Sequence, residues 1–249
     1  MRYFIELSYL GKNYHGWQKQ ANEISIQETI ENALSILLKQ KVSVLGCGRT
    51  DTGVHAKQFF LHFDIDELID KEKLKYRLNS FLPDDIAIFQ VHPVSEKAHA
   101  RFDAVSRSYH YQISLEKNVF ENDLSLQIYQ SKLNIEKMNE ASALLLNFTD
   151  FKCFSRSKTD VKTYDCDVSE AYWKLDGQSL NFYITANRFL RNMVRAVVGT
   201  LMEVGSERMT LEEFKNVIES RDRSKAGASV KAKGLYLTKV VYPKNIFID

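Results

Sequence analysis

The residue types that could do chemistry lie close together in one glycine-punctuated segment. Arg49 and Asp51 stand two positions apart in the stretch Gly48-Arg49-Thr50-Asp51-Thr52-Gly53-Val54-His55-Ala56. A guanidinium near a carboxylate favours the ionised carboxylate, which nucleophilic or electrostatic catalysis requires. Glycines at positions 46, 48 and 53 allow tight or left-handed backbone, which would present the carboxylate at a loop surface. The segment therefore makes Asp51 the candidate catalytic residue.

Two other interpretations of Asp51 fit the segment taken alone. An aspartate in a glycine-containing loop commonly forms an Asx-turn with its own backbone, and this reading stays open. Asp51-Thr52-Gly53 is also the Asp-Thr-Gly triplet of aspartic proteases. Those enzymes need two carboxylates that share one proton, and a neighbouring guanidinium opposes that sharing. The sequence holds no second copy of the loop, so a protease is disfavoured.

Composition restricts the classes of protein further. The chain has 249 residues, 44% of them hydrophobic, and a net charge of only +2, which is typical of a folded domain and points to no particular partner. The three cysteines and six histidines show neither Cys-x-x-Cys nor His-Glu-x-x-His spacing, so we expect no disulfide framework and no metal. Without a phosphate-cradling glycine loop or a nicotinamide fingerprint, we expect no cofactor. The first residues alternate like a strand and do not form a signal peptide, which predicts a cytoplasmic protein.

Basic residues gather in two places in the second half of the sequence. The stretch from Lys152 to Lys162 includes Arg156 and Lys158, and a predicted helix carries Arg188, Arg191 and Arg195. Both groups could contact phosphates. Basic runs taken alone are more often ordinary solvated faces, and that interpretation stays open.

The periodicity of apolar residues predicts the elements that must position these groups. Ser25 with Glu28 predicts the start of a helix, and Thr210 with Glu213 predicts another. Further helices are predicted over residues 71–81, 134–146 and 189–204, and strands over 2–9, 42–45, 58–63, 86–91, 106–115, 168–175, 180–186 and 235–242. Asp176-Gly177 is predicted to be the turn of a hairpin.

The order of these elements predicts the fold class. Strands and helices mix without regular βαβ alternation, which indicates an α+β protein with a largely antiparallel sheet. We divide the chain into an N-terminal half, 1–104, with the Asp51 loop, and a C-terminal half, 105–249.

Taken with its flanks, the Asp51 segment resembles the catalytic signature of the TruA family of tRNA pseudouridine synthases. Four further blocks resemble family motifs in the same order along the chain. They are Gly16-Trp17-Gln18-Lys19-Gln20, His99-Ala100-Arg101-Phe102 with Arg107-Ser108-Tyr109-His110-Tyr111, Asn187 through Gly205, and Gly234-Leu235-Tyr236-Leu237. The resemblance thus covers nearly the whole chain.

The resemblance implies a role for each matching residue. Asp51 would be the essential aspartate, Tyr109 the tyrosine that stacks on the target uracil and is a candidate to remove its C5 proton, and Arg195 the arginine that pairs with Asp51. Arg49 would take the place of the flipped base, and Leu235 would form an apolar wall of the pocket. These roles suit a nucleotide that must leave a stacked stem before it can react.

The resemblance also implies the fold, the substrate and the partners. We expect two α/β halves sharing a central, mainly antiparallel sheet, and a homodimer that acts on uridines 38 to 40 in the anticodon stem-loop of tRNA. Trp17 and Lys158 are expected to contact the tRNA. Two acids, Asp165 and Asp167, stand where relatives often carry another basic residue. A tRNA-binding module that lacks activity is the alternative from a different class.

Overall fold

The computed structural model describes residues 1–129, 132–156 and 161–248. These ranges form a mixed α/β protein with mainly antiparallel strands, which confirms the predicted fold class. In chain order the strands are β1 (Arg2–Tyr9), β2 (Leu45–Gly46), β3 (His55–Asp64), β4 (Ile86–Val94), β5 (Ser106–Ser114), β6 (Leu126–Gln127), β7 (Val168–Asp176), β8 (Ser179–Ala186) and β9 (Leu235–Val241). The helices are α1 (Ile26–Leu38), α2 (Lys71–Phe81), α3 (Ile135–Leu144), α4 (Met193–Gly205) and α5 (Leu211–Ser220).

The chain divides into two compact units, Met1–Val105 with Tyr236–Asp249, and Ser106–Leu235. Our division into 1–104 and 105–249 assigns the C-terminal segment to the second half, whereas the structure includes it in the first unit. The reason is strand pairing: β9 runs parallel to β3, with His55 opposite Tyr236. Val105 N also donates to Val241 O at 2.8 Å. Pairing between segments so far apart leaves no local pattern in the sequence.

The first unit is built on β1, which pairs antiparallel with β3 on one side and β4 on the other. The short strand β2 pairs with β3, and α2 packs against β4 and α1. Ser25 caps α1 by accepting from Glu28 N at 3.2 Å. The Glu28 carboxylate, which would complete the predicted capping box, instead pairs with Lys19 Nζ at 2.9 Å. Large fully buried rings, among them Phe4 and Phe59, fill the core of the unit.

The second unit is an antiparallel set in the order β5, β8, β7, with β6 pairing parallel to β5. Helix α3 packs on β7 and α4, and α5 packs on α3. Thr210 and Glu213 form both hydrogen bonds of the predicted capping box at the start of α5. The core includes Tyr111, Phe182 and Phe214.

Two local predictions in the second unit are wrong in detail. Helix α4 begins at Met193 rather than at 189, because Asn192 adopts a left-handed conformation with φ 66°, which a continuing helix does not allow. In the β7–β8 hairpin Asp176 pairs with Ser179. The turn is therefore Gly177-Gln178, one residue later than predicted, and Gly177 has the positive φ of 57°.

Candidate functional site

The Asp51 loop lies in the first unit and is fixed through Thr50, the residue before the candidate aspartate. Thr50 is 8% exposed, its carbonyl accepts from Trp17 N at 3.2 Å, and its hydroxyl hydrogen-bonds Tyr9 Oη at 2.9 Å. The residues on either side of Thr50 differ in burial: Arg49 is exposed and Asp51 is half-buried. The loop thus presents a cation and a carboxylate on either side of a buried threonine.

A tight turn sets the backbone that follows Asp51. Val54 N donates to Asp51 O at 3.1 Å, and Gly53, the third residue of this turn, has φ 77°. That conformation at the third position is typical of a type II turn, where glycine is strongly favoured. Gly53 therefore has the left-handed backbone that the sequence predicts. Gly46 and Gly48 do not have a positive φ.

Glycine 16 is a residue of this site that sequence reasoning missed. It has φ 85°, and a Cβ there would lie 2.5 Å from the Thr50 carbonyl oxygen. Only a glycine allows the segment 14–17 to approach the Asp51 loop so closely. The signal in the sequence was its position directly before Trp17, inside a block that resembles a family motif.

Trp17, which we expected to contact tRNA, is a core residue. Its side chain is 2% exposed, and its ring stacks on Phe59 with a centroid distance of 4.2 Å. A Cβ on Gly46 would lie 2.5 Å from the indole, so the neighbouring glycine is needed for this packing. Such burial does not fit direct contact with RNA. Trp17 instead supports the loop, since its backbone N–H holds Thr50.

Tyr109 lies on β5 in the second unit, opposite Ile184 of β8. The ring is half-buried, and Phe189 packs edge-on against it with a centroid distance of 5.0 Å and an interplanar angle of 86°. Edge-to-face contact of this kind is a favourable arrangement of two aromatic rings and restrains both of them. Phe189 is a further residue that the sequence did not single out, because we assigned it to the predicted helix.

Arg195 projects from the first turn of α4 and is anchored to the segment 226–231, which we call the strap. Arg195 Nε donates to Val230 O at 2.8 Å, and Val230 N donates to Arg195 O at 3.1 Å. The strap lies close against the helix, because a Cβ on Gly199 would collide with the carbonyl oxygen of Ala228. The arginine therefore sits on a helix and is oriented by a second segment of chain.

Within the second unit, the strap links Arg195 to the strand that carries Tyr109. Tyr111 Oη donates to Lys231 O at 2.7 Å. Burial raises the pKa of the Tyr111 phenol, and the charge of Arg195 opposes part of that rise. Residues 109 and 111 share one face of β5, since side chains alternate along a strand. Tyr109 and Arg195 are thus brought to the same side of this strand.

Leu235, the expected apolar wall, is 5% exposed at the start of β9. The glycine before it permits close packing, since a Cβ on Gly234 would lie 2.6 Å from Gln112 O. An apolar, buried leucine is consistent with the expected role. That role, like the ion pair between Arg195 and Asp51 of the other unit, stays a prediction.

The basic groups of the second half are distributed differently from the prediction. Arg188 and Arg191 precede α4, so that of the three arginines only Arg195 is helical. Lys158 lies outside the described residues. Lys152 Nζ lies over the Tyr164 ring, 5.5 Å from its centroid. The Asp165 carboxylate accepts a hydrogen bond from the Thr163 hydroxyl at 2.5 Å. The acid at 165 is thus held within its own loop.

The described residues carry neither a cluster of metal-ligating side chains nor a membrane-spanning helix. In those ranges no three side chains of His, Cys, Asp or Glu are grouped so that they could hold a metal ion. The three cysteines are buried and not bonded to one another. None of the helices in the described ranges has the length and apolar character that crossing a bilayer demands.

Together the two units carry a carboxylate, a phenol and a guanidinium on fixed supports, groups that a carboxylate-dependent enzyme uses. Comparison with known proteins identifies the class of protein to which this chain belongs. A family model described as tRNA pseudouridine synthase matches residues 7–103 and 141–243. The chain therefore belongs to the tRNA pseudouridine synthase family, in agreement with the motifs of its sequence.

Individual relatives align over almost the full length. The chain is 49% identical to tRNA pseudouridine synthase A of Porphyromonas gingivalis, with 99% of each chain covered. It is also 49% identical to the protein of that name from Parabacteroides distasonis, over 99% of this chain and 98% of the relative. The corresponding protein of Clostridium acetobutylicum is 41% identical, over 96% and 98%.

Proposed function

We propose that this chain isomerises uridine to pseudouridine in tRNA, at positions 38 to 40 of the anticodon stem-loop, with Asp51 as its catalytic carboxylate. The observation that carries the proposal is the 49% identity over 99% of both chains with a protein named tRNA pseudouridine synthase A. The geometry of the Asp51 loop supports it, since a buried threonine and a type II turn hold the half-buried carboxylate in place.

The reaction requires no redox change and adds no group. The C1′–N1 glycosidic bond breaks, the uracil rotates, and a C1′–C5 bond forms while C5 loses its proton and N1 gains one. Asp51 attacks C1′, attacks uracil C6, or assists a route through a glycal, and all three need an ionised carboxylate beside the flipped nucleotide.

The other residues act on the flipped nucleotide in our proposal. Tyr109 stacks on the uracil and is positioned to accept the C5 proton, with Phe189 restraining the ring. Arg195 pairs with Asp51, and Leu235 forms an apolar wall. Arg49 is exposed beside Asp51 and fills the gap that the base leaves in the stem, because a planar cation can stack between neighbouring bases.

The proposal includes partners and location. The enzyme works as a homodimer in the cytoplasm, and Lys158 contacts the tRNA. Sedimentation equilibrium of the purified chain checks the dimer directly: a single species of twice the chain mass supports it, and a monomer at the concentrations used for activity contradicts it.

Release of tritium from tRNA that carries 5-tritiated uridine tests the reaction. Wild-type protein should release tritium with turnover, and Asp51→Asn should not, although it still binds tRNA. Asp66→Asn, an exposed aspartate of the same unit, is the matched control and should retain wild-type release. If neither wild type nor variants release tritium and all bind tRNA equally, the chain is a binding module instead.

The position of the reacting uridine has its own test. A tRNA in which uridines 38 to 40 are replaced by cytidine should release no tritium, while a tRNA with uridine kept only at one of these positions should release it. Undiminished release from the fully replaced tRNA would contradict the anticodon stem-loop as the target.

A further inference from the structure

One surface of the first unit combines an exposed aromatic ring with a cation and lies outside the machinery described above. Phe102 is 73% exposed. The Arg101 guanidinium carbon lies 5.6 Å from the centroid of its ring. Single exposed apolar side chains are common on protein surfaces, so exposure alone does not indicate a function. The backbone that carries this pair is the more informative feature.

A network of hydrogen bonds fixes that backbone. Nδ1 of His99 accepts from Arg101 N at 3.1 Å and from Phe102 N at 3.3 Å. Asp103 closes the turn from the other side: its carboxylate accepts from His99 N at 2.7 Å, and its own N–H donates to His99 O at 3.1 Å. The His99 ring also packs against Phe102, with centroids 4.3 Å apart. The histidine thus holds both the backbone and the ring.

The turn is in addition fastened to the core of its unit. Ala100 is fully buried, and its N–H donates to Nδ1 of His62 at 3.1 Å. Arg2 donates to Ala98 O at 2.8 Å. An exposed ring on backbone held this firmly loses little conformational entropy when it stacks on a ligand, which is the advantage of a preorganised contact.

The chemistry of the pair identifies its occupant. A rigid exposed ring offers a face on which an unpaired base can stack, and a neighbouring guanidinium attracts phosphate. We propose that the Arg101–Phe102 pair is a second RNA contact, in which Phe102 stacks on an unpaired base of the substrate tRNA other than the reacting uridine while Arg101 binds an adjacent phosphate. The inference rests on the proposed function, since it takes tRNA as the ligand.

The affinity of Phe102→Ala for tRNA tests the proposal. Stacking on one base predicts a dissociation constant raised about tenfold, and Phe102→Trp should restore binding. The rate of tritium release at saturating tRNA should stay within about twofold of wild type, because the ring does not touch the reacting uridine. The matched control is Phe120→Ala, which removes a 91% exposed phenylalanine of the other unit and should leave affinity unchanged.

Two further variants separate the roles of the cation and of the supporting histidine. Arg101→Gln should lower the slope of log affinity against log salt by about one, as expected for the loss of one phosphate contact. His99→Ala should weaken binding as Phe102→Ala does. His99→Asn, whose side-chain oxygen can accept the same two N–H groups, should restore it, which would show that these two hydrogen bonds position the ring.

Three results would overturn the inference. If Phe102→Ala binds tRNA as tightly as wild type does, the ring does not stack on the RNA. Equal losses in Phe102→Ala and Phe120→Ala would show a general effect of removing surface rings. A changed molecular mass of Phe102→Ala, with unchanged affinity per protomer, would assign the ring to a protein contact. Because affinity is measured apart from tritium release, failure of the proposed reaction is recognised separately in the wild type.

Discussion

The Asp51 loop and the start of α4 hold their candidate residues by different means. In the first unit the residue before the candidate is anchored: Thr50 is buried and hydrogen-bonds Tyr9 and the backbone of Trp17, which fixes the backbone next to Asp51. In the second unit the side chain itself is anchored, since Arg195 Nε donates to the strap.

The difference predicts how each site fails. Both depend on a close approach between distant segments, in which a Cβ on the glycine would meet backbone atoms: those of Thr50 for Gly16 and those of Ala228 for Gly199. The overlap would be deeper at Gly199 than at Gly16, so a new Cβ should displace the strap further than it displaces the Asp51 loop. Substitutions in the two regions can therefore be compared by how much each lowers the free energy of unfolding and the catalytic rate.

The largest effect is expected for Gly199→Ala in the second unit. The new Cβ collides with the carbonyl oxygen of Ala228, which no rotation of a side chain can relieve. We expect the free energy of unfolding to fall by about 3 kcal/mol and tritium release to be lost under conditions where the variant remains folded. Urea unfolding and the release assay measure both. Stability and rate within experimental error of wild type would show that the strap does not position Arg195.

A smaller effect is expected for Gly16→Ala in the first unit. Alanine at φ 85° and 2.5 Å from the Thr50 carbonyl should cost roughly 2 kcal/mol of unfolding free energy and lower the catalytic rate, with tRNA affinity kept. Gly48→Ala is the control, because a Cβ there meets nothing within 4 Å. If both variants behave alike, the close approach to Thr50 is not what positions Asp51.

Low pH should lower the folding stability of the first unit, because His62 is buried there and resists protonation in the folded state. Burial, with help from Arg2 and His99, lowers the pKa of His62 from 6.5 to about 4, and Asp64 and Asp103 oppose that shift only partly. The unfolded chain therefore takes up a proton first as the pH falls, so the folded state loses roughly 2 kcal/mol between pH 6.5 and pH 4. Above pH 6.5 this contribution is fully present.

The fluorescence of the two tryptophans can show which unit loses stability at low pH. Trp17 lies in the first unit and Trp173 in the second, and both are buried. In a Trp173→Phe background, fluorescence of Trp17 should report a lower unfolding midpoint at pH 5 than at pH 7. His62→Asn should reduce that difference, because asparagine can accept from Ala100 N without titrating. An undiminished pH dependence in His62→Asn would assign the effect to other groups.

The smallest effects are expected from a matched pair of tyrosines. Tyr9→Phe removes the hydroxyl that bonds Thr50, and Tyr111→Phe removes the one that donates to Lys231 O in the strap. Each should cost about 1 kcal/mol. Because further side-chain hydrogen bonds also hold the strap, the catalytic rate should fall less in Tyr111→Phe than in Tyr9→Phe, as single-turnover rates would show. The opposite order would reverse the comparison between the units.

Local elements were largely predictable from the sequence. Helix α2 (Lys71–Phe81) and the capped start of α5 follow directly from apolar spacing and capping residues, which act within a few positions of the chain. The Asp51 loop was also located, because its glycines and its neighbours form one continuous segment. Family resemblance, rather than any local rule, distinguished it from an Asx-turn.

Contacts between distant segments were not predictable. The strap that anchors Arg195 has no periodic pattern of its own, and Trp17 was expected on the surface because a glycine-rich loop usually lies there. Its burial results from stacking on Phe59. The left-handed Asn192 broke a helix whose apolar spacing continued through it. In each case tertiary contacts decided the outcome over local preference.

Single-turnover conversion of tRNA by Asp51→Asn tests the central claim most directly. Enzyme in excess over tritiated tRNA removes product release from the measurement, and binding can be verified in the same sample. The account predicts that Asp66→Asn converts tRNA at the wild-type rate and that Asp51→Asn is slower by more than about 1,000-fold while binding normally. A rate for Asp51→Asn within tenfold of wild type would contradict Asp51 as the catalytic carboxylate.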